Sequence, residues 1–554
     1  MQTVTLQHLV LNQDLRFTGL YSRGDRSFPV KMEPNEELDL CTHFNYVPTG
    51  KISQFTSVTN LSLSLDFDGE IAVTCRRLND DSVKTQTLKM ESNIPAEFEY
   101  SDSKLVGFVL QAGPSGCVLR SGKVIASAEN VKLVNPALVL CTYRKEDIVR
   151  EKISQLRSTG TCECMRIVVI DNGRTIDSLG ENVTVVHSPN YGGSSGYTRG
   201  MMECLKDESI THIILNDDDA ELDPEIIFRT GSFYSLISDD DEDAVLGGTM
   251  LLAERPNIVH ESGASFQSVS VHSMCHDLDI SKESDNLALS SDRDIEYFGW
   301  WYFAIPSHMV RRIGLPLPMF LKYDDVEYGL RIDSPKITLC GVSVWHPGFR
   351  SKFSEMSAYY SFRNIMVAGS VHRRLPKEYI YILLRDVEID IAGYRYLNAE
   401  TRLKAVDDFL KGPDALYRMC RNGPLATKEF TTSDAESLKK ELDLIDHAPE
   451  GNHTFRALTL NGLFRCPVGD VILDFFEPRT SAFYRIGRIL YTFDDGSGII
   501  CARDRKTSIR VLFRTLRIRI RLMFRYSRIS RRYADSFTDY SSEEFWKELL
   551  EIKE

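Results

Sequence analysis

The sequence predicts an α/β fold, in which a doubly wound sheet lies between an N-terminal β-sandwich and a mainly helical C-terminal region. Three observations predict this fold. Short alternating runs dominate residues 1–133, continuous apolar runs alternate with helical patterns in residues 134–372, and helical spacing prevails in residues 373–554. A chain of 554 residues exceeds what one hydrophobic core usually supports, so we expect these three segments to be domains.

The N-terminal segment predicts strands separated by turns. Leu61–Phe67 alternates apolar and polar residues with period two, and residues 105–110 and 123–126 are short apolar runs between turn-forming residues. Several such strands without a helical pattern favour a β-sandwich. Nothing in this segment carries catalytic chemistry, so we expect a spacer or assembly module, with a carbohydrate-binding module as the alternative.

The central segment contains continuous apolar runs at Ala137–Cys141, Met165–Ile170, Val183–Val186 and His212–Leu215. Runs of this kind fit strands that are buried on both faces of a parallel sheet, and the helical stretches between them indicate a doubly wound domain. Ligands of such sheets bind beyond the carboxyl ends of the strands. The residues that follow the four strands are Thr142, Asp171, Asn190 and Asp217.

The C-terminal region has an unusual charge distribution. Between Arg503 and Arg532 the chain has twelve Lys and Arg residues and one acid, Asp504, although its overall net charge is −13. Apolar residues from Ile509 to Phe524 recur at helical spacing beside these arginines, which is typical of a helix lying on anionic lipid. The alternative is a surface helix whose arginines pair with acids elsewhere in the protein.

Cysteine usage and the N-terminal sequence predict the location of the protein in the cell. The 12 cysteines form no paired framework, which favours reduced thiols in a cytosolic protein. The first residues lack the basic start and apolar core of a signal peptide, and no apolar run approaches the ~20 residues that span a bilayer. We therefore expect a cytoplasmic protein, peripheral on the inner face of the cell membrane, without nucleic acid as a partner.

The most specific local motif is Asn216–Ala220, an aspartate triplet that directly follows an apolar strand. Asp217 and Asp219 can converge on one divalent cation from a tight turn, and hard oxygen ligands suit Mg²⁺ or Mn²⁺. Such an ion would neutralise a departing diphosphate. His346 follows another strand-like run and could complete the site. The alternative is a solvated acidic loop with a structural histidine.

A glycine-rich segment, Asn190–Arg199, stands between a strand and a helix. Its glycines would let the backbone approach a ligand closely, and a helix N-terminus attracts negative charge. The segment matches neither the Walker loop nor the dinucleotide fingerprint, and an ordinary turn is the alternative.

Two further motifs could contact an acceptor. Trp300 and Trp301 offer aromatic faces that pack on sugars, with core packing as the alternative. Asp324 and Asp325 precede a predicted helix, where a carboxylate could take a proton from a hydroxyl as general base. Helix capping is the alternative there, and one aspartate can cap while the other catalyses.

In their order along the chain, these motifs resemble the inverting glycosyltransferases of the GT-A fold. The chain is more closely similar to the mycobacterial galactofuranosyltransferases that polymerise the cell-wall galactan. The matching segments are Thr42–Pro48, Asn190–Arg199, Asn216–Asp219, Phe298–Trp301, Leu315–Arg331, Val344–His346 and Tyr359–Asn364. The resemblance runs from about residue 40 to 370, and the C-terminal part matches only in general character.

The resemblance implies UDP-galactofuranose as donor, a glycan or lipid-linked glycan as acceptor, a divalent metal, and homo-oligomers at the membrane. It implies Asp325 as the general base. The other roles that it implies are the metal site at Asp217, Asp219 and His346, the acceptor groove at Trp300, Trp301 and Asp324, and nucleotide binding by Thr142, Arg144, Lys145, Asp171, Asn172, Asn190, Asp217 and Asp218.

Three motifs depart from the family pattern. The family's Asn-Arg after the first strand is Arg144-Lys145 here, its Trp before the aspartate pair is Tyr323, and a later His is Ser361. The expected function is an inverting transferase of a hexose, with galactofuranose as the first candidate. The alternatives are another nucleotide sugar, carrying galactopyranose or rhamnose, a different glycan acceptor such as a capsule or O-antigen chain, or a non-catalytic glycan-binding scaffold.

Overall fold

The computed structural model describes residues 1–22, 26–267, 269–352, 354–445, 461–478 and 480–552. The described chain combines an N-terminal sheet, a central layer of strands and helices, and C-terminal helices, so the predicted α/β class is confirmed. The predicted domain limits after residues 133 and 372 fall between regular elements, and the division into three domains stays a prediction.

The N-terminal part is a β-sheet built on two long strands. Its elements are β1 (Gln2–His8), β2 (Val30–Met32), β3 (Glu37–Asp39), α1 (Thr49–Phe55), β4 (Val58–Asn79), β5 (Ser82–Lys89), β6 (Ala96–Phe98) and β7 (Leu105–Ala128). The strands run in the order β1-β7-β4-β5, while β2 and β3 pair with β7 and β6 pairs with β4. The predicted strands are present, and their arrangement as a sandwich stays a prediction.

The central part alternates strands and helices, as the continuous apolar runs predict. Its first elements are β8 (Pro136–Thr142), α2 (Glu146–Ser158), α3 (Thr161–Cys164), β9 (Arg166–Asp171), β10 (Val183–His187), α4 (Gly193–Leu205), β11 (His212–Asp217), β12 (Glu221–Leu222) and α5 (Glu225–Leu236). Strands β10, β9, β8 and β11 lie side by side and parallel. Their carboxyl ends therefore meet along one edge of the sheet.

The rest of the central part adds a second sheet beside this edge. Its elements are β13 (Val245–Gly247), β14 (Thr249–Leu252), β15 (Arg255–Glu261), β16 (Ala264–Gln267), β17 (Ser270–Ser273), α6 (Glu283–Leu289), β18 (Phe303–Pro306), α7 (Ser307–Ile313), α8 (Asp324–Gly329), β19 (Lys336–Ile337), β20 (Ser343–His346) and α9 (Glu355–Val371). Strands β18, β13 and β19 continue the first sheet, whereas β12-β20-β14-β15 form the second.

The C-terminal part contains the predicted helices and a small sheet that the sequence reading missed. Its elements are α10 (Ile380–Ala392), α11 (Tyr396–Phe409), α12 (Pro413–Met419), β21 (Ser433–Asp434), α13 (Ala435–Lys439), β22 (Val471–Asp474), β23 (Arg488–Thr492), β24 (Ser497–Ala502), α14 (Arg505–Tyr540) and α15 (Glu543–Leu549). The sheet forms because short β-branched runs around Ile489 and Ile499 bury Ile and Tyr side chains in a separate core.

Helix α14 contains the basic segment from Arg505 onwards, so the strand-like alternation within it does not lead to a strand. One face, including Val511, Ile518 and Leu522, packs with residues of α9, α10 and α11. Helix α9 thus shares its core with the C-terminal helices and links them to the central part. Among the described residues, no helix combines the length and apolar character that crossing a membrane requires.

Candidate active site

The aspartate triplet lies at the carboxyl end of β11, where the two central sheets meet. The Nε2 atom of His346 lies 3.8 Å from Asp217 Oδ2 and 3.2 Å from Asp219 Oδ1. One ligand atom of each of these side chains lies within 4.8 Å of the others. Two carboxylates and one buried imidazole are a donor set that fits a divalent cation, so the structure brings the predicted metal ligands together.

The middle acid of the triplet has different partners. Thr142 donates its hydroxyl to Asp218 Oδ2 at 2.9 Å, and Lys145 Nζ lies 2.9 Å from Asp218 Oδ1 and 2.8 Å from Asp219 Oδ2. Burial raises the pKa of Asp218. Three of the predicted nucleotide-binding residues therefore bond to one another, and a single ammonium offsets the charge of two carboxylates.

A second lysine, which the sequence reading missed, supports the acidic loop. Lys152 on α2 is 6% exposed, and its Nζ lies 2.6 Å from Asn216 Oδ1, 2.6 Å from the carbonyl of Asp217 and 2.8 Å from that of Ala220. Burial lowers the pKa of this ammonium to about 8, although the nearby carboxylates raise it. Its three N–H donors are all satisfied within the loop that carries the metal ligands.

The ends of β9 and β10 contribute the remaining predicted nucleotide residues. Asp171 is fully buried, and its carboxylate accepts from the backbone N–H groups of residues 173, 175 and 176, so it shapes the loop. Asn172 donates to the carbonyl of Gly192 at 3.2 Å, while its Oδ1 is buried and has no hydrogen-bond partner in the described chain. Asn190 accepts from the N–H of Gly192, and Arg144 is exposed beside the ring of Tyr143.

The glycine-rich segment packs closely against other parts of the chain, and its approach to a ligand stays a prediction. At Gly192, with φ of 87°, a Cβ would lie 1.9 Å from the carbonyl oxygen of Phe320. At Gly196 a Cβ would lie 2.1 Å from the Sγ of Cys141, at the end of β8. These glycines let the first turn of α4 pack against the sheet edge and against the segment that precedes α8.

Asp324 and Asp325 occupy the first turn of α8. Burial raises the pKa of both carboxyl groups, and the charge of Asp217 acts in the same direction on each. The N-cap of α8 is Tyr323, which makes no side-chain capping bond, and Asp325 Oδ1 accepts from the N–H of Val326 at 2.8 Å. A buried carboxyl group with a raised pKa suits a general base better than a solvated cap does.

The third acid of this motif is structural. Glu327 is fully buried and lies 2.8 Å from Arg331 Nε and 3.2 Å from His372 Nε2. Against the effect of burial, the charge of Arg331 lowers the pKa of Glu327 to about 2. The Arg331 pair is local to the end of α8, whereas the contact with His372, just past α9, ties α8 to the neighbouring helix.

Glu261 is a site residue that the sequence reading missed. It is 4% exposed at the end of β15, and burial raises its pKa to about 7. Ser273 donates to its Oε2 at 2.6 Å, while its Oε1 has no hydrogen-bond partner within the described residues. The charge of Asp325 adds to its raised pKa, so the two carboxyl groups lie near each other. The signal that the sequence offers for Glu261 is an acidic residue beside an apolar strand run.

The two tryptophans lie in the core beside the site. Trp300 is 5% exposed and packs edge-on against Tyr197 and Tyr328. Trp301 is 7% exposed and donates its indole N–H to the carbonyl of Gly248 at 3.1 Å. Little indole surface is left for a sugar, so core packing describes both residues in this structure better than the predicted acceptor groove does.

Comparisons with known proteins identify relatives of the chain. No protein-family model matches it. It is 27% identical to the galactofuranosyltransferase GlfT2 of Mycobacterium tuberculosis, with 67% of this chain and 64% of that protein covered. It is 24% identical to the GlfT2 of Mycolicibacterium smegmatis, with 94% of this chain and 90% of that protein covered. These relatives confirm the resemblance drawn from the motifs and support a glycosyltransferase.

Solved structures give weaker likenesses. TarS of S. aureus is 12% identical, with 52% of this chain and 87% of that chain covered and a TM-score of 0.29. The mannosyl-3-phosphoglycerate synthase of Rubrobacter xylanophilus is 12% identical, with 44% and 76% covered and a TM-score of 0.28. Likenesses at this level carry no conclusion about the chain.

Proposed function

We propose that this chain, a relative of the GlfT2 galactofuranosyltransferases, is an inverting, metal-dependent glycosyltransferase of the GT-A type. Its proposed reaction moves galactofuranose from UDP-galactofuranose to a hydroxyl of a glycan acceptor in cell-wall polysaccharide synthesis. The observation that carries the proposal is the meeting of Asp217, Asp219 and His346 at the sheet edge. Burial and the charge of Asp217 raise the pKa of Asp324 and Asp325, as is expected if the two segments face one cleft.

The donor half of the cleft offers the groups that a nucleotide diphosphate needs. Asp217, Asp219 and His346 would hold a divalent cation, which when bound supplies the Lewis acidity that neutralises the departing UDP. Lys145 and the first turn of α4 add positive potential beside it. The buried Oδ1 of Asn172 needs a donor, and the ring N–H of uracil is one.

The acceptor half supplies the base. Asp325 would take the proton of the acceptor hydroxyl while that oxygen attacks the anomeric carbon and the bond from this carbon to the UDP oxygen breaks. Attack from the side opposite to UDP inverts the anomeric configuration. The raised pKa of Asp325 brings its basicity closer to that needed near neutral pH.

The test is a donor panel with mass detection of the transferred sugar. Purified protein with Mn²⁺ or Mg²⁺ is offered UDP-galactofuranose, UDP-galactopyranose and dTDP-rhamnose together with galactan-type acceptor fragments. Transfer from UDP-galactofuranose alone supports the proposal, whereas preference for another sugar would reassign the donor. Neither transfer nor donor hydrolysis across the panel would favour a non-catalytic scaffold.

The outer face of α14 favours a membrane surface as a partner. Its exposed apolar residues are Phe513, Leu516, Ile520, Met523 and Phe524. Arg510, Arg514 and Arg519 pair with acids of α10 and α11, as the surface-helix alternative predicts, while Arg517 and Arg525 are exposed beside the apolar row. Such a face fits anionic lipid because it combines apolar anchors with cations.

Vesicle sedimentation tests this partner. Wild-type protein should pellet with phosphatidylglycerol vesicles and remain in solution with phosphatidylcholine vesicles. The double variant Phe513→Glu/Phe524→Glu should lose the pelleting, whereas Val83→Glu, at an exposed apolar position of the N-terminal sheet, should keep it. Equal pelleting of all three proteins would exclude α14 as the contact.

The proposed homo-oligomer is a separate matter, which size-exclusion chromatography with light scattering tests.

A further inference from the structure

The segment that delivers Asp325 has an unusual backbone. Phe320, Lys322 and Tyr323 have φ values of 70°, 66° and 64°, in the left-handed region that side-chain-bearing residues rarely adopt. Asp324 follows them directly. Such conformations persist only where the surrounding structure enforces them. Contacts with neighbouring residues must therefore hold residues 320–323 in place.

The enforcing group is the amide of Asn364 on α9. This side chain is fully buried, and its Nδ2 lies 2.9 Å from the carbonyl oxygen of Met319, 2.8 Å from that of Leu321 and 2.8 Å from that of Lys322. Arg363 donates its Nε to Asn364 Oδ1 at 2.8 Å, which directs the amide nitrogen towards the three carbonyls. One side chain therefore gathers the carbonyls on which the left-handed turns depend.

Residues 320–323 are also held by the glycine-rich segment Asn190–Arg199. The N–H of Phe320 donates to Ser194 Oγ at 3.0 Å, in the first turn of α4. The carbonyl of Phe320 lies where a side chain at Gly192 would stand. Residues 320–323 are thus clamped between α9 and the glycine-rich loop, and neither contact reaches the carboxylate of Asp325 itself.

We infer that Asn364 is a positioning residue of the proposed transfer: it holds the left-handed segment 320–323 so that Asp325 meets the acceptor hydroxyl. The inference rests on the proposed function for its catalytic half. A base displaced by a fraction of an ångström remains a base but no longer reaches its proton. Loss of Asn364 should therefore lower kcat and largely spare the proposed donor-binding residues, none of which Asn364 itself contacts.

The test compares two isosteric substitutions at buried asparagines. Asn364→Asp replaces the amide N–H groups by an oxygen that repels the three carbonyls. Asn286→Asp is the matched control, since Asn286 is 1% exposed and donates to the carbonyls of Ile280 and Lys282, away from the cleft. Asn364→Ser, which leaves no charge against the carbonyls, carries the test if the Asp variant is not obtained folded.

Two readouts are needed. We expect kcat of the Asn364 variants to fall by about 10²-fold with KM for the donor little changed, while Asn286→Asp keeps the wild-type kcat. In hydrogen-exchange mass spectrometry, amides of residues 319–325 should exchange faster in the Asn364 variants and not in the control. Wild-type kcat, or unchanged exchange of this segment, in a folded Asn364 variant would overturn the inference.

The outcomes also separate this inference from the proposed function. A wild-type protein that transfers no sugar refutes the proposed reaction, but the exchange experiment still decides whether Asn364 holds the segment. Conversely, full activity of a folded Asn364→Asp protein removes the positioning role and leaves the glycosyltransferase proposal standing.

Discussion

The two acidic segments of the cleft, Asp217–Asp219 and Asp324–Asp325, have different surroundings. On the donor side, Asp218 and Asp219 are bonded to Lys145, and His346 lies 3.2 Å from Asp219. On the acceptor side, Asp324 is buried and Asp325 partly buried in the first turn of α8, and their burial raises the pKa of both. The first segment sets a lysine and a histidine against its carboxylates, as a cation site would need, whereas the second has carboxyl groups whose raised pKa suits acceptance of a proton.

This difference shows that the surroundings of an aspartate, and not its residue type, determine its role in the cleft. Both segments are runs of aspartate that follow an apolar stretch, and both look alike as sequence. Neighbouring cations favour the charged form of a carboxyl group, whereas burial favours the protonated form. Substitutions that treat the two segments identically should therefore have different consequences.

The largest expected effect comes from Asp325→Asn, which keeps the shape and removes the base. Transfer should fall by about 10²–10⁴-fold, the usual contribution of a general base, because the acceptor proton has no recipient. Binding of UDP and Mn²⁺, measured by titration calorimetry, should be retained. The exposed Asp240→Asn serves as control and should behave as wild type. Near-normal turnover of Asp325→Asn would remove the distinction between the segments.

Asp219→Asn should produce the reverse pattern. Removing one charged ligand of the Asp217–Asp219–His346 cluster should weaken Mn²⁺ binding by more than the ~10–100-fold that loss of a supporting partner costs. Electron paramagnetic resonance of free Mn²⁺ during titration measures this directly. Activity should recover partly at high Mn²⁺, which no metal concentration should achieve for Asp325→Asn. Unchanged Mn²⁺ affinity would show that the cluster is not the metal site.

The acceptor side should also control the acidic limb of the pH profile. A general base works only when deprotonated, so kcat/KM should decline as pH falls through the raised pKa of Asp325, well above the ~3.9 of an ordinary aspartate. Lys322→Met removes a cation whose charge lowers the pKa of Asp325, so it should shift this limb to higher pH. A limb at the ordinary aspartate value, or one that Lys322→Met leaves in place, would contradict the assignment.

The sequence signals for the donor side are local, and the structure brings the three predicted metal ligands together. Asp217 and Asp219 follow a recognisable strand, and the rule that ligands bind at carboxyl ends of parallel strands selects Thr142 and Asn190 as well. His346 lies on another sheet, and only its place after a strand-like run indicated it. The strand-by-strand arrangement confirms the α/β prediction for this region.

What the sequence could not provide depends on contacts between distant segments. Lys152 sits in a helix with an ordinary amphipathic pattern, so its burial under the acidic loop has no local signature. The left-handed turns at residues 320–323 involve no glycine, and nothing in their composition predicts them. Trp300 and Trp301 fit a sugar platform and a core equally well as sequence, and only their neighbours decide between the two.

The smallest expected effect tests how far the metal site depends on Lys152, which bonds to the acidic loop. Lys152→Met keeps the length and apolar stem of the side chain but removes the three bonds to Asn216, Asp217 and Ala220. The loop should then lose its fixed shape, and Mn²⁺ affinity should drop by about 10-fold, as is usual when a partner behind metal ligands is lost. Titration with Mn²⁺ and a thermal melt measure the two effects separately.

Lys206, at the end of α4, offers the control for this substitution. It is exposed and pairs with Glu203 one turn earlier, so Lys206→Met should leave Mn²⁺ affinity unchanged. If Lys152→Met melts at a lower temperature but binds Mn²⁺ as tightly as wild type, the lysine supports the fold alone. The acidic loop would then owe its shape to the sheet edge and to Lys145, and the contrast with the acceptor side would rest on neighbouring charge rather than on support from α2.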